Sequence, residues 1–316
     1  MQFLEAPTKI FFTTDCSARA VFFITFMKKI YFIFVILIFN FLSAPVFAQH
    51  TTKSSASAPK FTLIDESDIF RLRPLTESLI IGSSVALLGT EHSLKHFAKF
   101  NLLDYKTGGY GAEASRDYIP TMDLIFMQPY SNALNHVSWG SLALTALTPA
   151  LFGFTEEKSQ WFTLSVMYAE TLLLATSFKD LAKTFVVRAR PYMYYDLSSA
   201  PQNKLENYDW ENSFFSGHTT WAFAAATFTS YVFCQNHPET KWRYAVIGGT
   251  YALASLTGIL RISAGCHFLS DVICGAIAGS ITGFLVPYFH TAKFWKKSKN
   301  VEFSLVPNGF YLTARL

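Results

Sequence analysis

Long apolar segments dominate the second half of the chain and recur at short intervals. Each is about 17–21 residues long, and they cover residues 135–154, 161–180, 215–235, 244–260 and 272–290. About 20 consecutive apolar residues let a helix cross the hydrocarbon core of a bilayer. The pattern therefore predicts an all-α fold, a helical bundle that spans a membrane.

Shorter segments flank this helical region. Residues 78–90 give only 13 uncharged residues between Glu77 and Glu91, which predicts a buried or interfacial helix rather than a membrane span. Residues 301–316 alternate apolar and polar positions around an Asn-Gly pair, a pattern typical of a β-hairpin. The expected organisation is a linker over 49–74, a helical domain over 75–290, and a basic segment with a hairpin over 291–316.

An earlier segment has the pattern of an export signal. Two lysines, Lys28 and Lys29, precede an apolar run over 30–42, and small residues follow at a usual cleavage spacing, ending at Ala48. We expect a signal peptide or signal anchor over 27–48. Residues 1–26 do not fit that pattern, and an upstream extension before a start at Met27 explains them better than an unusually long leader.

Composition agrees with a membrane-embedded protein. Hydrophobic residues make up 51% of the chain and charged residues 15%, against about 25% charged residues in an ordinary soluble domain. The net charge is only +4, and no Lys/Arg cluster is interleaved with aromatic residues, so nucleic-acid binding is not expected. The four cysteines form no C-x-x-C pair, and the sequence predicts neither a metal site nor another cofactor.

Three short blocks carry candidate chemistry. The first pairs Lys183 with Arg190, seven residues apart, which would place both cations two turns apart on one helix face. A guanidinium binds phosphate through two parallel hydrogen bonds, and an ammonium adds a point charge. Taken alone, such a pair is more typical of the positive flank of an apolar helix.

The second block is Ser216-Gly217-His218, at the start of the apolar segment 215–235. A helix N-terminus binds anions through its free N–H groups and the positive end of the helix dipole. His218 would lie beside such an anion. Taken alone, a histidine at this position is more often a cap or a packed side chain.

The third block contains Arg261, His267 and Asp271. His267 and Asp271 are four residues apart, a spacing that allows contact on a helix face. A carboxylate bonded to one imidazole nitrogen fixes the tautomer and leaves the other nitrogen free to attack. By itself this pair is as common by accident as by function.

The order of the blocks gives them a joint meaning. Each falls at an end of an apolar segment, and the alternating directions of successive helices bring all three to one side of the bundle. Three cations, a helix N-terminus and two histidines would then converge. Phosphoryl transfer needs such a set, because it requires neutralised phosphate oxygens, an in-line nucleophile and an acid for the leaving group.

This arrangement resembles the type 2 phosphatidic acid phosphatase superfamily, whose pattern is K-x6-R-P, then P-S-G-H, then S-R-x5-H-x3-D. The chain reads KTFVVRARP, FSGH and LRISAGCHFLSD in that order. Phe215 stands in place of the proline and Leu260 in place of the serine, and every residue expected to bind phosphate or carry protons is present. The resemblance extends over about residues 135–290.

The resemblance implies a helical bundle of that superfamily and a metal-independent phosphatase. It implies that His267 is the nucleophile, which becomes a phosphohistidine, that Asp271 orients it, and that His218 protonates the leaving oxygen. The phosphate-binding residues that it implies are Lys183, Arg190, Ser216, Gly217 and Arg261. The expected substrates are phospholipids, prenyl pyrophosphates or other phosphate esters.

The distribution of basic residues predicts the orientation in the membrane. Lys158, Lys241 and Arg243 lie in the loops opposite the three blocks, and four lysines follow the last apolar segment over 293–299. Basic loops remain in the cytoplasm. We therefore expect a bacterial inner-membrane protein whose active site faces the periplasm.

Other functions fit parts of the same pattern. The first is a soluble periplasmic non-specific acid phosphatase of the same superfamily, which extraction without detergent would distinguish. The second is a vanadate-dependent haloperoxidase, which has a similar site. The third is a phospholipid-binding protein without activity, against which the complete motifs argue.

Overall fold

The computed structural model describes residues 69–97, 109–291, 301–306 and 309–314. Within these ranges the chain forms six long helices and a two-stranded antiparallel hairpin. They are α1 (Pro74–Phe97), α2 (Asn132–Ala146), α3 (Lys158–Phe185), α4 (Gly217–Asn236), α5 (Trp242–Ser263), α6 (Leu269–His290), β1 (Val301–Val306) and β2 (Gly309–Ala314). The predictions for residues 1–48, for the linker up to residue 68 and for the lysines at 293–299 lie outside the described residues.

The predicted all-α bundle is confirmed over the described helical region. Four of the five long apolar segments form one long helix each. The first, 135–154, forms α2, a 3-10 helix over Thr148–Leu151 and a short helix over Phe152–Thr155. The helix predicted over 78–90 is longer than expected, since α1 has 24 residues. It starts with a proline at its first position, where the missing N–H costs nothing, and it continues into a polar stretch of helix-forming residues that an apolar pattern does not include.

Among the described residues, three stretches are long and apolar enough to cross a membrane: Asn132–Thr155, α5 and α6. The other two predicted spans, in α3 and α4, do not combine the same length with the same apolar composition. The reason is clearest in α4, which packs against α2, α3, α5 and α6. A helix enclosed by other helices needs no lipid-facing side, and it can carry hydroxyl groups that bond within the bundle, as Ser230 does with Thr250 at 2.9 Å.

Helix α6 has two faces of opposite character. Large apolar side chains on one face are exposed and recur about every four residues, at Ile273, Ile277, Ile281 and Phe284. This spacing forms a continuous stripe that suits contact with lipid acyl chains. The opposite face carries glycines and packs against α4.

The glycine face of α6 lets two helix backbones approach closely. A Cβ atom at Gly275 would lie 2.7 Å from the Ser216 carbonyl oxygen, and one at Gly279 would lie 2.2 Å from the Thr220 oxygen. Glycines four residues apart are a frequent means of close helix packing in membranes. From the first contact to the second, the residue number rises by four in both helices, so α4 and α6 are parallel. Their N-termini, which carry two of the three sequence blocks, therefore lie side by side.

We predict that Gly279→Ala destabilises the fold by about 1–3 kcal/mol, the usual cost of overpacking. The new methyl group would meet backbone atoms, which cannot rotate away as a side chain does. Gly248→Ala is the matched control, because a Cβ at Gly248 in α5 has no atom within 4 Å. Thermal unfolding in detergent measures both, and equal melting temperatures for the two variants would contradict the close contact of α4 and α6.

Candidate active site

The structure brings the three sequence blocks together at one end of the bundle. Lys183 lies in the last turn of α3, and Arg261 lies in the last turn of α5. Arg190 contacts His267, with Nη1 and Nε2 3.1 Å apart. The Ser216 N–H donates to the Asp271 carbonyl oxygen at 3.1 Å, which joins the starts of α4 and α6.

The hydrogen bonds of His267 define its tautomer. Its Nδ1 lies 2.8 Å from the Ser213 carbonyl oxygen, which can only accept, so Nδ1 carries the proton. Nε2 then accepts from the Arg190 guanidinium. Burial and the neighbouring cations, Arg190 first, hold the pKa of His267 well below its ordinary value. The imidazole is therefore neutral at physiological pH, and Nε2 has the lone pair that a nucleophile needs.

Asp271 lies beside His267 but is not its closest partner. The Asp271 Oδ2 is 3.8 Å from His267 Nδ1, and it accepts from Ser213 Oγ at 2.6 Å and from the Phe268 N–H at 2.9 Å. The four-residue spacing suggested contact on a helix face, but α6 begins only at Leu269, so His267 lies outside the helix. Ser213 therefore connects the carboxylate with the imidazole.

Arg190 lies in the loop after α3, not on the same helix as Lys183. The expectation that both cations lie on one helix face is wrong, because α3 ends at Phe185 and Pro191 follows Arg190. The loop is held by a hydrogen bond from the Arg190 N–H to the Trp210 carbonyl oxygen at 2.8 Å. This pairing leaves the guanidinium facing the start of α6.

Asp209 holds the Arg190 guanidinium in place. The Nη2 group lies 3.1 and 3.0 Å from the two carboxylate oxygens, and Nε donates to the Asp209 carbonyl oxygen at 2.9 Å. Burial raises the pKa of Asp209, but the positive charges of Arg190 and Lys204 outweigh it and lower this pKa to about 2. Asp209 is therefore ionised. It was not among the predicted site residues, and a lone acid in a loop gives no sequence signal.

The N-terminus of α4 is open to an anion. No side chain among the described residues caps it, and the Ser216 hydroxyl accepts from Thr219 at 2.9 Å. A Cβ at Gly217 would lie 2.5 Å from the Lys179 side chain, so glycine at this position leaves space for that side chain. Free N–H groups at a helix start bind phosphate.

His218 lies in the first turn of α4 against an aromatic side chain. Its ring is 4.1 Å from the indole of Trp139 and tilted by 74° to it. Its Nε2 is buried and has no hydrogen-bond partner within the described ranges. The imidazole thus has one nitrogen available for a group that enters the site.

A sharp turn connects Arg261 with His267. The Gly265 N–H bonds to the Ile262 oxygen at 2.9 Å and the Cys266 N–H to the Arg261 oxygen at 3.1 Å, a Schellman motif. Gly265 has a φ of +67°, and a Cβ there would lie 2.4 Å from the Pro129 oxygen. The turn therefore depends on glycine. Asn135 accepts from Arg261 Nη1 at 2.6 Å and fixes this guanidinium.

Arg188 is a member of the site that the motifs did not indicate. It is bonded to Asp271 and to Asp123, the latter at 2.7 Å, and its guanidinium lies 4.1 Å from the centre of the Phe268 ring. Arg188 thus neutralises the carboxylate next to the candidate nucleophile. The Arg-Ala-Arg alternation was an available signal, since alternate residues of an extended segment point to the same side.

Comparison with known proteins gives a family match over the same region. Residues 164–295 match the family model described as PAP2 superfamily. Over 134 residues the chain is 34% identical to the lipid A 1-phosphatase of Porphyromonas gingivalis, an alignment that covers 42% of this chain and 25% of that protein. The chain thus spans about a quarter of the length of this curated relative. All three blocks fall inside the matched residues, and the resemblance drawn from them is confirmed there.

Two solved structures match the chain at low similarity. One is a transmembrane PAP2 type phosphatidylglycerolphosphate phosphatase from Bacillus subtilis, 20% identical over 65% of this chain and 94% of that chain, with a TM-score of 0.38. The other is Aquifex aeolicus LpxE, 25% identical over 51% of this chain and 90% of that chain, with a TM-score of 0.34.

We predict that Lys183 makes anion binding weaken as the pH rises through about 7. Burial, and then the charges of Arg190 and Lys179, lower its pKa to about 7. The ammonium is charged below that pH and neutral above it, so affinity for vanadate should fall by up to about tenfold per pH unit on the alkaline side. Lys183→Arg, whose guanidinium stays charged, should remove this loss.

The inhibition constant of vanadate, measured across this pH range, tests the assignment. The titration of vanadate itself affects the wild type and Lys183→Arg equally. The ratio of their inhibition constants therefore reports the titration of Lys183. Lys158→Arg is the control, since Lys158 lies at the opposite end of α3 and should leave the wild-type profile unchanged. An equally steep alkaline loss in Lys183→Arg would show that another group titrates.

Proposed function

We propose that this chain, whose residues 164–295 match the PAP2 superfamily, is a membrane-embedded phosphatase. It hydrolyses a phosphate monoester or pyrophosphate of a lipid through a phosphohistidine, without a metal ion in the reaction. The observation that carries the proposal is the neutral His267, whose Nε2 accepts from a guanidinium that is itself suited to bind phosphate.

Substrate binding uses the charges around this nitrogen. The phosphate oxygens bind to Lys183, Arg190 and Arg261 and to the N–H groups at the start of α4. Arg190 turns its N–H from the imidazole to a phosphate oxygen, which frees the lone pair of His267. These fixed donors stabilise the charge that spreads over the equatorial oxygens in the transition state, in the manner of an oxyanion hole.

In the first chemical step, Nε2 of His267 attacks phosphorus. An N–P bond forms, the ester P–O bond breaks, and the electron pair goes to the leaving oxygen, which takes a proton from His218. The bound dianion favours the protonated form of His218 before this step. The phosphoimidazole gains positive charge, which Asp271 stabilises while the Ser213 carbonyl oxygen holds Nδ1–H.

In the second step, water attacks phosphorus and the P–N bond breaks. His218, now neutral, accepts the proton of the water molecule, which restores it for the next cycle. The electron pair of the broken bond returns to Nε2, and inorganic phosphate leaves.

The surroundings of the site favour a lipid substrate. Trp139, which lies against His218, is 50% exposed. The short helix Thr121–Leu124 is anchored at the start of α6, where the Ser270 N–H donates to Asp123 at 2.8 Å, and its neighbours Ile125 and Phe126 are exposed. Exposed apolar side chains beside a phosphate site suit an acyl chain. The similarity to a protein named lipid A 1-phosphatase supports the same class of substrate.

We predict different losses for the two histidines. His267→Ala should lose nearly all turnover and all covalent phosphate, because it removes the nucleophile. His218→Ala should lose about 10²–10⁴-fold on a lipid phosphate, the usual value of general acid catalysis. It should lose much less on p-nitrophenyl phosphate, whose leaving group needs little protonation.

Rapid-quench labelling with radioactive substrate measures the covalent intermediate. A phosphohistidine loses its label in acid and keeps it in base. His237→Ala is the matched control, because His237 pairs with Glu156 at the opposite end of the bundle. Persistent label in His267→Ala, or an equal loss on both substrates in His218→Ala, would assign these roles to other groups.

We also propose that the active site faces the periplasm. Support comes from the loops at the opposite end of the bundle, where His237 and Glu156 meet at 2.8 Å and Lys158, Lys241 and Arg243 lie nearby in sequence. Short basic loops favour the cytoplasmic side. The sequence adds four more lysines over 293–299.

A reporter fused after residue 299 tests this orientation. Green fluorescent protein should fluoresce there, and alkaline phosphatase should stay inactive, because both report a cytoplasmic position. The same reporters inserted after Gln202, in the loop between α3 and α4, should give the reverse pattern. Active alkaline phosphatase after residue 299 would contradict the proposed orientation.

A further inference from the structure

A second cluster of ionisable side chains lies at the end of α6 that is remote from His267. It consists of Glu77 from α1, Glu170 from α3 and His290, the last residue of α6, and their ligand atoms all lie within 4.8 Å of one another. With a rise of about 1.5 Å per residue, α6 places this cluster roughly 30 Å from the phosphate site. The reaction proposed above makes no use of it.

His290 is oriented as a ligand. Its Nδ1 lies 2.8 Å from the Val286 carbonyl oxygen, which can only accept, so Nδ1 carries a proton. Its Nε2 then faces Glu77 Oε1 at 3.0 Å and Glu170 Oε2 at 3.3 Å. A histidine that binds a metal through one nitrogen commonly donates the other N–H to a backbone carbonyl oxygen, which fixes the ring.

Glu170 gives independent support for a ligand. Its side chain is only 3% exposed, and its carboxylate oxygens make no hydrogen bond of good geometry among the described residues. Their near neighbours are Nε2 of His290 at 3.3 Å and the carboxyl group of Glu77. Burying an ionised carboxylate without good hydrogen bonds is costly unless a cation or metal ion binds it. The carboxylate points at the nitrogen of His290, where a shared ion would lie.

The charges of the three groups also favour a divalent ion. An imidazolium between two carboxylates leaves one net negative charge in this cluster, taken alone. A divalent ion bound by two carboxylates and a neutral imidazole leaves none. Uncompensated charge in the interior is strongly unfavourable, so the cluster takes up either a proton held between Glu77 and Glu170 or a divalent ion.

We propose that Glu77, Glu170 and His290 bind one divalent transition-metal ion of the zinc class and thereby fasten α1, α3 and α6 together. Imidazole and carboxylate are both ligands that Zn²⁺ accepts, at about 2.0–2.2 Å. Small side-chain rotations bring the three ligand atoms to these distances. Glu77 is 21% exposed, which provides an entry path and room for water as a fourth ligand. The role is structural, because the cluster is remote from the phosphate site.

Metal binding is tested on the full chain in detergent, after treatment with EDTA and dialysis against low-micromolar Zn²⁺. We expect one zinc ion per chain by elemental analysis and a saturable rise in melting temperature with Zn²⁺. Co²⁺ should give visible absorption bands, since its ligand-field spectrum reports protein ligands.

Three variants and one control locate the site. Glu170→Gln, His290→Gln and Glu77→Gln should each lose the zinc and the response of the melting temperature. Glu156→Gln is the matched control, because Glu156 pairs with His237 at 2.8 Å and no third ligand of the described residues completes a site there. If a buried variant fails to fold, Glu77→Gln still decides, since this side chain is partly exposed at the start of α1.

Two results would overturn the proposal. One is wild-type protein that holds no zinc under these conditions, and the other is zinc that persists in all three variants. Either result shows that Glu77, Glu170 and His290 do not bind the ion. The same treatment tests metal-independent hydrolysis separately. EDTA should lower the melting temperature of the wild type without changing its hydrolysis rate well below that temperature. A rate lost in EDTA and restored by Zn²⁺ in Glu170→Gln would instead contradict metal-independent hydrolysis.

Discussion

The contact between the backbones of α4 and α6 determines where the chemistry lies. Gly275 and Gly279 have no side chain to separate the helices, so α4 and α6 run in parallel at the distance their backbones allow. Two parallel helices in contact have adjacent N-termini, and here these carry Ser216-Gly217-His218 and Asp271. The hydrogen bond from Ser216 to the Asp271 carbonyl oxygen joins them directly. A larger side chain in this stripe would separate the anion-binding turn from the nucleophile.

Buried charge is the second constraint on the site. Lys183, Arg190 and Arg261 would repel one another if nothing opposed them, and the structure supplies fixed partners. Asp209 holds Arg190 through three contacts, and Asn135 accepts from Arg261. These partners orient the cations without neutralising all of them. Burial, together with this surplus positive charge, lowers the pKa of His267, and the charge leaves a dianion as the natural ligand.

Helix α6 has surfaces suited to three different environments. Its exposed isoleucines suit lipid, its glycines contact α4, and its two ends carry ionisable groups, Asp271 at the start and His290 at the end. A transmembrane helix can do this because polar groups are tolerated near its ends and between helices, whereas its lipid-facing side must stay apolar. Both of its ends are therefore suited to binding charged ligands.

The sequence by itself determined the helical segments, the three blocks and their chemistry, because apolar length and motif spacing are local properties. It did not determine that Arg190 lies in a loop, that Ser213 rather than Asp271 accepts from His267, or that Arg188 and Asp209 complete the site. These contacts join residues up to 83 positions apart, such as Arg188 and Asp271. The cluster of Glu77, Glu170 and His290 spans an even longer stretch of the chain. Only the packing of the helices decided these contacts, because packing depends on which faces meet and how closely, and local spacing does not encode that.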